Sequence, residues 1–144
     1  MVQRIFLASV SALFSAAIAG CGGADNVGQV SGKVTLGGEP LAGAIVKFQP
    51  TAGGSPSAAI VDGSGNYKLG YTEGVQGAEI GSHKVIISTF SAGNPDAEPP
   101  KPPVAEKVPS KYNAKSELTA DVKAGSNTID FPLEPGGEIV PGNK

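Results

Sequence analysis

From residue 29 onward, apolar and polar residues alternate in short runs separated by glycine-rich and proline-rich breaks. Val30, Val34 and Leu36 alternate with Ser31, Lys33 and Thr35, which predicts a strand with its aliphatic residues on one face and Gly32 on that same side. Gly37 and Gly38 mark a turn, and after Glu39, Pro40 and Leu41 a second strand sets Ala44, Val46 and Phe48 against Ile45, Lys47 and Gln49. Residues 50–56 read as a loop and 58–61 as a short, nearly continuous apolar strand. The turn Asp62, Gly63, Ser64, Gly65, Asn66 leads into a fourth strand with Tyr67, Leu69 and Tyr71 on one face. A loop over 74–81 precedes a strand over 84–90, where Val85 and Ile87 point inward. Leu118, Ala120 and Val122 alternate in a sixth strand, residues 124–127 turn the chain, and Ile129, Phe131 and Leu133 form the last. Pro132 lacks an amide donor, so that last strand belongs at a sheet edge or ends there.

No helical period intervenes between these runs. Seven strands, each with one apolar face, cannot bury those faces singly, and two sheets packed face to face bury all of them; the expectation is an all-β sandwich over residues 29–133. Residues 91–110 break the pattern, since six of the twenty are proline, and read as a long, solvated connection favouring polyproline II at Pro99, Pro100, Pro102 and Pro103. Residues 134–144 read as a flexible tail.

The first twenty residues follow different rules. Arg4 supplies a positive start, and residues 5–19 are apolar or small without a charge, the layout of a signal peptide. As a helix this run reaches about 22 Å, short of the roughly 30 Å a permanent span must cross, so removal of residues 1–20 is expected. Ala19 and Gly20 are small enough for an extended backbone to enter a peptidase cleft, and the thiol of Cys21 directly after them is open to alkylation. One reading is an ordinary secretory signal cut near Ala17 or Ala19, which leaves Cys21 as a free thiol or an intermolecular disulfide partner. The other follows from the order Ile18, Ala19, Gly20, Cys21, which resembles the lipobox of bacterial lipoproteins at every position. The resemblance implies cleavage between Gly20 and Cys21, a thioether-linked lipid on Cys21 carrying acyl chains such as palmitate, and a lipidated tether over residues 21–28. Buried acyl chains contribute about 0.8 kcal/mol per methylene, and more than one chain makes anchoring stable. Gly22 and Gly23 stand where an aspartate would signal inner-membrane retention in some proteobacterial lipoproteins, so the outer membrane is favoured if the cell has one.

Composition narrows the remaining choices. The chain has 144 residues and a net charge of −2, which becomes −3 once Arg4, its one arginine, is removed with the leader. Its lysines are scattered singly and no arginine remains for bidentate base readout, so nucleic acid is not an expected partner. With Cys21 as the sole cysteine, no intramolecular disulfide is available and the fold rests on buried apolar area.

Several stretches resemble the carboxypeptidase regulatory-like and transthyretin-like domains of bacterial surface and periplasmic proteins. They are the opening strand Val30, Ser31, Gly32, Lys33, Val34, Thr35 with the turn Pro40, Leu41, Ala42, Gly43, Ala44; the hairpin Asp62, Gly63, Ser64, Gly65, Asn66, Tyr67; and Gly81, Ser82, His83, Lys84, Val85, where an aromatic is commoner at the place of His83. The resemblance spans residues 29–133 and implies a seven-stranded Greek-key sandwich. Its motifs specify fold better than activity. The transthyretin-like fold includes a hydrolase of purine breakdown whose family relies on several histidines, an arginine and a C-terminal Tyr-Arg-Gly-Ser, and beyond the leader this chain offers one histidine of that set.

Candidate chemistry is sparse. His83 is the one histidine, without a nucleophile beside it in sequence, and reads as a packing or exposed residue rather than a general base. Asp62, Ser64 and Asn66 present oxygens at alternate positions as a calcium loop does, but Tyr67, Lys68 and Leu69 add no further carboxylate, which favours a plain turn. Lys33 facing Asn127 or Asp130 would fit the intramolecular isopeptide bonds of related adhesin domains, yet its alternation puts it on the solvent side, away from the burial that reaction needs. Tyr67, Tyr71, Tyr112 and Phe90 are available for sugar stacking; the first two read as core, and Tyr112 as an anchor for the proline-rich loop. The expectation is therefore a non-enzymatic, membrane-anchored envelope module without a cofactor, its partner an envelope protein or a glycan. The alternative is a carbohydrate or small-ligand binding module using the loop over 91–110.

Overall fold

The computed structural model describes residues 26–141. The leader, Gly20, Cys21, the tether up to Asp25 and the last three residues lie outside this range. The elements are β1 (Val27–Leu36), β2 (Glu39–Pro40), β3 (Ile45–Pro50), β4 (Ser57–Ile60), β5 (Asn66–Lys68), β6 (Gly70–Thr72), β7 (Val75–Gln76), β8 (Ala78–Glu79), β9 (Gly81–Ser88), a 3₁₀ turn (Ser110–Tyr112), β10 (Thr119–Val122), β11 (Ser126–Thr128) and β12 (Phe131–Leu133). The class is all-β, as the alternation predicts. No helix among the described residues is long and apolar enough to cross a membrane.

The strands form two sheets consistent with a sandwich. Sheet I is built on β1, which pairs antiparallel with β8, β5 and β2 along one edge and parallel with β11 and β12 along the other. Sheet II runs β10-β9-β3-β4-β6-β7 with every pair antiparallel. All seven expected runs fall at least partly on strands, but the fourth is divided and the seventh starts only at Phe131; Ser126 and Asn127, expected in a turn, belong to β11, and the loop expected over 74–81 holds the two-residue strands β7 and β8, so the strands outnumber the seven expected. The fourth changes sheets at Leu69: Asn66–Lys68 pairs with β1, and Gly70–Thr72 pairs with β4. Pro132 lies opposite Thr35 on the edge strand β12, in keeping with its missing donor.

Between β11 and β12 the ladder along β1 is interrupted at Ile129 and Asp130, and side chains fill the gap. Ile129 N–H still donates to Ser31 O at 2.8 Å, but the Ile129 carbonyl turns inward and accepts from Tyr67 Oη at 2.6 Å. Lys33 N–H is met at 2.8 Å by Asp130 Oδ1 in place of a ladder carbonyl. Gly32 is what admits this arrangement, because a Cβ there would lie 1.9 Å from Ile129 O. The glycine on the apolar side of β1 thus has a steric cause.

The core lies between the sheets and draws Val30 and Val34 from β1, Val46 and Phe48 from β3, and Val85 and Ile87 from β9. Phe48 of sheet II meets Phe131 of sheet I edge-on at 6.0 Å, and Tyr67 meets Phe131 at 6.1 Å, an aromatic seam across the layers. Gly37 and Gly38, with φ of 61° and 87°, make the two-residue turn that lets β2 fold back on β1.

The proline-rich segment is exposed over 98–104 but is paired rather than a free polyproline run. Ser91 pairs with Val104 and Asn94 with Lys101, which folds it into an arm. The chain then returns to the body, with Val108, Pro109 and Ser110 buried. Residues 134–141, expected as part of a flexible tail, form no regular element but make defined contacts. Glu134 N–H donates to Tyr112 Oη at 3.1 Å, Ser110 N–H to Glu138 O at 2.7 Å, and Lys115 Nζ pairs with the Glu138 carboxylate at 2.9 Å.

Candidate functional site

His83 stands on the inner face of β9, 1% exposed, with its ring 5.6 Å from that of Phe48. Its Nε2 lies 2.7 Å from Glu79 O. A carbonyl only accepts, so the proton is on Nε2, and Nδ1 is left buried without a partner. Held this way, the imidazole packs the core and has no route to a substrate. The same is true of Ser57, whose Oγ is buried and unpartnered on the inner face of β4.

The loop of Asp62, Ser64 and Asn66 is closed by its own backbone. Asp62 Oδ1 accepts from Ser64 N–H at 2.8 Å and Asn66 N–H at 2.9 Å, while Gly65, at φ 88°, reverses the chain. These amides, that of Asn66 foremost, hold the Asp62 carboxyl below its ordinary range. Its oxygen is thus committed to the turn. Among the described residues, no group of three His, Cys, Asp or Glu side chains is placed to hold a metal ion.

Lys33 and Asp130 do come together, but through the Lys33 backbone N–H, while the lysine side chain is exposed. Asn127 is engaged elsewhere: its Nδ2 donates to Gln29 O and Lys123 O and its Oδ1 accepts from Lys123 N–H, clamping the β10–β11 turn to β1.

The four aromatics are distributed rather than gathered. Tyr67 is core, and its hydroxyl is pushed up by burial first and by Asp130 second. Tyr71 is half-buried and donates to Glu79 Oε1 at 2.6 Å, a carboxyl that also accepts from Ser55 N–H at 3.3 Å and is lowered by these bonds. Phe90 lines a groove of about 570 Å³ between β9 and residues 106–114, together with Lys84, Ile86, Ser88, Glu106 and Asn113. Tyr112 lines a separate groove of about 470 Å³ with Leu118 and Phe131, between β10 and β12.

Sequence reasoning did not single out Glu106. Its Oε1 accepts from Thr89 N–H at 3.0 Å, Thr89 Oγ1 at 2.9 Å, Lys107 N–H at 3.0 Å and Val108 N–H at 2.9 Å, and its Oε2 accepts from Ser88 Oγ. This half-buried carboxylate ties the return of the proline-rich arm to the end of β9. No run of residues around position 106 announces such a role, because the donors that make it a tie, those of Ser88 and Thr89, come from the end of β9, eighteen and seventeen residues earlier. No protein-family model, curated protein or solved structure matches the chain.

Proposed function

We propose that this chain is a lipid-anchored, non-enzymatic module of the cell envelope, its sandwich tethered to a membrane through Cys21. The observation that carries the reading is the order Ile18, Ala19, Gly20, Cys21 at the end of an uncharged apolar run, six residues ahead of β1. It is supported by the roles of the polar side chains: His83, Asp62, Asp130 and Glu106 are each engaged in holding the fold. Glycines after Cys21 favour the outer membrane as its location in a cell that has one. The finer fold reading, a seven-stranded Greek key akin to carboxypeptidase regulatory-like and transthyretin-like domains, draws support from the seven expected runs and from the hairpin roles of Gly37, Gly38 and the Asp62 turn.

The test is the mass of the N-terminal peptide from membranes of the native cell. The expected peptide begins at Cys21 and carries a diacylglyceryl adduct, and Cys21→Ser shifts the protein to the soluble fraction after high-salt extraction. A peptide still bearing residues 1–20, or a bare thiol, overturns the proposal. A second reading, binding of a glycan or small ligand, is favoured by the groove beside Phe90, where Ser88, Glu106 and Asn113 offer polar groups. Titration with envelope glycans then shifts the amide resonances of residues 84–90; silence across a broad panel removes it.

A further inference from the structure

The two outer faces of the sandwich are chemically unlike. Outward positions of sheet I are polar: Gln29, Ser31 and Lys33 on β1, Asn66 and Lys68 on β5, and Ser126 on β11, all exposed. Sheet II instead presents isoleucines to solvent. Ile45 and Ile60 stand directly opposite each other on β3 and β4, 41% and 72% exposed, and Ile86 lies in the next row opposite Lys47. A β-branched pair facing water across two central strands has no core to fill; it marks a contact surface.

The charges on that face are few and ordered. Lys47 sits beside the isoleucines on β3 and Lys84 one row further on β9, while Asp121, at the edge on β10, accepts from Ser82 Oγ at 2.5 Å. Glu106, at the rim, is occupied by the amides of Thr89 and Val108. We propose that this face of sheet II rests on the bilayer that holds Cys21, with Ile45 and Ile60 in the interfacial layer and Lys47 and Lys84 reaching to headgroup phosphates. The inference rests on the lipid-anchor reading. Five residues lie between Cys21 and Val27, six Cα steps with a reach of about 20 Å, and stacked sheets lie about 10 Å apart, so the tether permits the molecule to lie on this side. A second copy is the poorer occupant, because the acids that a two-fold pairing of this face would offer to Lys47 and Lys84, Asp121 at the edge and Glu106 at the rim, are already hydrogen-bonded within the chain, whereas phosphates complement both lysines.

The lipidated protein tests this in vesicles of phosphatidylcholine with a minor share of phosphatidylglycerol. Its one native sulfur is taken by the lipid, so a polarity-sensitive thiol probe reports only on an introduced cysteine, Ala58→Cys on the sheet II face or Ser31→Cys on the sheet I face. A quencher attached near the lipid headgroup is expected to quench the Ala58 position several-fold more than the Ser31 position. In the Ile45→Ser/Ile60→Ser background the difference collapses while the protein stays anchored and keeps its far-ultraviolet spectrum. Equal quenching, or stronger quenching at Ser31, overturns the proposal, and so does a dimer of the chain from Gly22 onward that those two substitutions dissociate. If the protein does not enter vesicles and Cys21 carries no lipid, the anchor reading itself has failed, which the N-terminal peptide mass separates from an anchored protein lying on another side.

Discussion

Replacing Glu106 tests how the arm is held. In Glu106→Ala, Lys107 N–H keeps Thr89 Oγ1 at 2.8 Å and the two hydroxyls can turn to other acceptors, but Thr89 N–H and Val108 N–H lose their partner. A buried amide left unmade costs about 1 to 1.5 kcal/mol, so the loss over both amides is roughly 2 to 3 kcal/mol. With a urea dependence of about 1 to 1.5 kcal/mol per molar for a domain of this size, the unfolding midpoint of the chain from Gly22 onward falls by roughly 2 M. Tyrosine fluorescence follows the transition, because Tyr67 lies in the core and Tyr112 packs against it. The effect of pH supplies a second axis. Burial alone pushes the Glu106 carboxyl up, but hydrogen bonds from Ser88, Thr89 and Val108 outweigh it and hold it below its ordinary value. A group lowered in the folded state contributes stability that is complete above its unfolded value of about 4.3 and is lost as pH falls through the folded one. The deficit of Glu106→Gln relative to the native chain is therefore largest at neutral pH and narrows on acidification below about pH 4. A Glu106→Ala loss under about 0.5 kcal/mol, or a Glu106→Gln deficit independent of pH, refutes the claim that this carboxylate closes the loop.

The gap between β11 and β12 makes further measurements informative. Gly32→Ala sets a methyl against the Ile129 carbonyl, and thermal unfolding should show a loss on the order of 3 kcal/mol or more. Tyr67→Phe strands that carbonyl in the core at a cost of about 1 to 2 kcal/mol, and spectrophotometric titration of the native chain should find Tyr67 the last tyrosine to ionise. Asp130→Asn, which keeps an acceptor for Lys33 N–H, should be better tolerated than Asp130→Ala in the same unfolding assay.

The alternation along the chain locates the strands because one buried face per strand leaves a period of two in the sequence. It does not locate the partner, and this is where the sequence falls silent. Nothing in Ile129, Phe131 and Leu133 tells a parallel from an antiparallel neighbour, and the Asp130 carboxylate standing in for a backbone acceptor is a contact between residues 97 positions apart. The change of sheets at Leu69 is hidden for a similar reason: Tyr67, Leu69 and Tyr71 alternate without a break in the sequence, although Tyr67 and Leu69 are core and Tyr71, expected there too, is half-buried and bonded to Glu79. His83 is legible only in part: the sequence places it just ahead of a strand as a packing or exposed residue, and β9 in fact begins at Gly81 and carries it inward. The exposed pair on sheet II is only half legible: the alternation already sets Ile45 with Lys47 and Gln49, whereas Ile60, in a nearly continuous apolar run, looks like a core residue until the register places it opposite Ile45 and facing water.

Joining the opening strand to the closing one in parallel has a consequence for biogenesis. A chain synthesised from its N-terminus delivers β1 first and β11 and β12 last, so one flank of β1 stays without its native neighbour until the residues of β12 have emerged. Contacts of such sequence separation form slowly, which leaves the nascent chain pliable until then. The architecture thereby ties completion of folding to completion of synthesis.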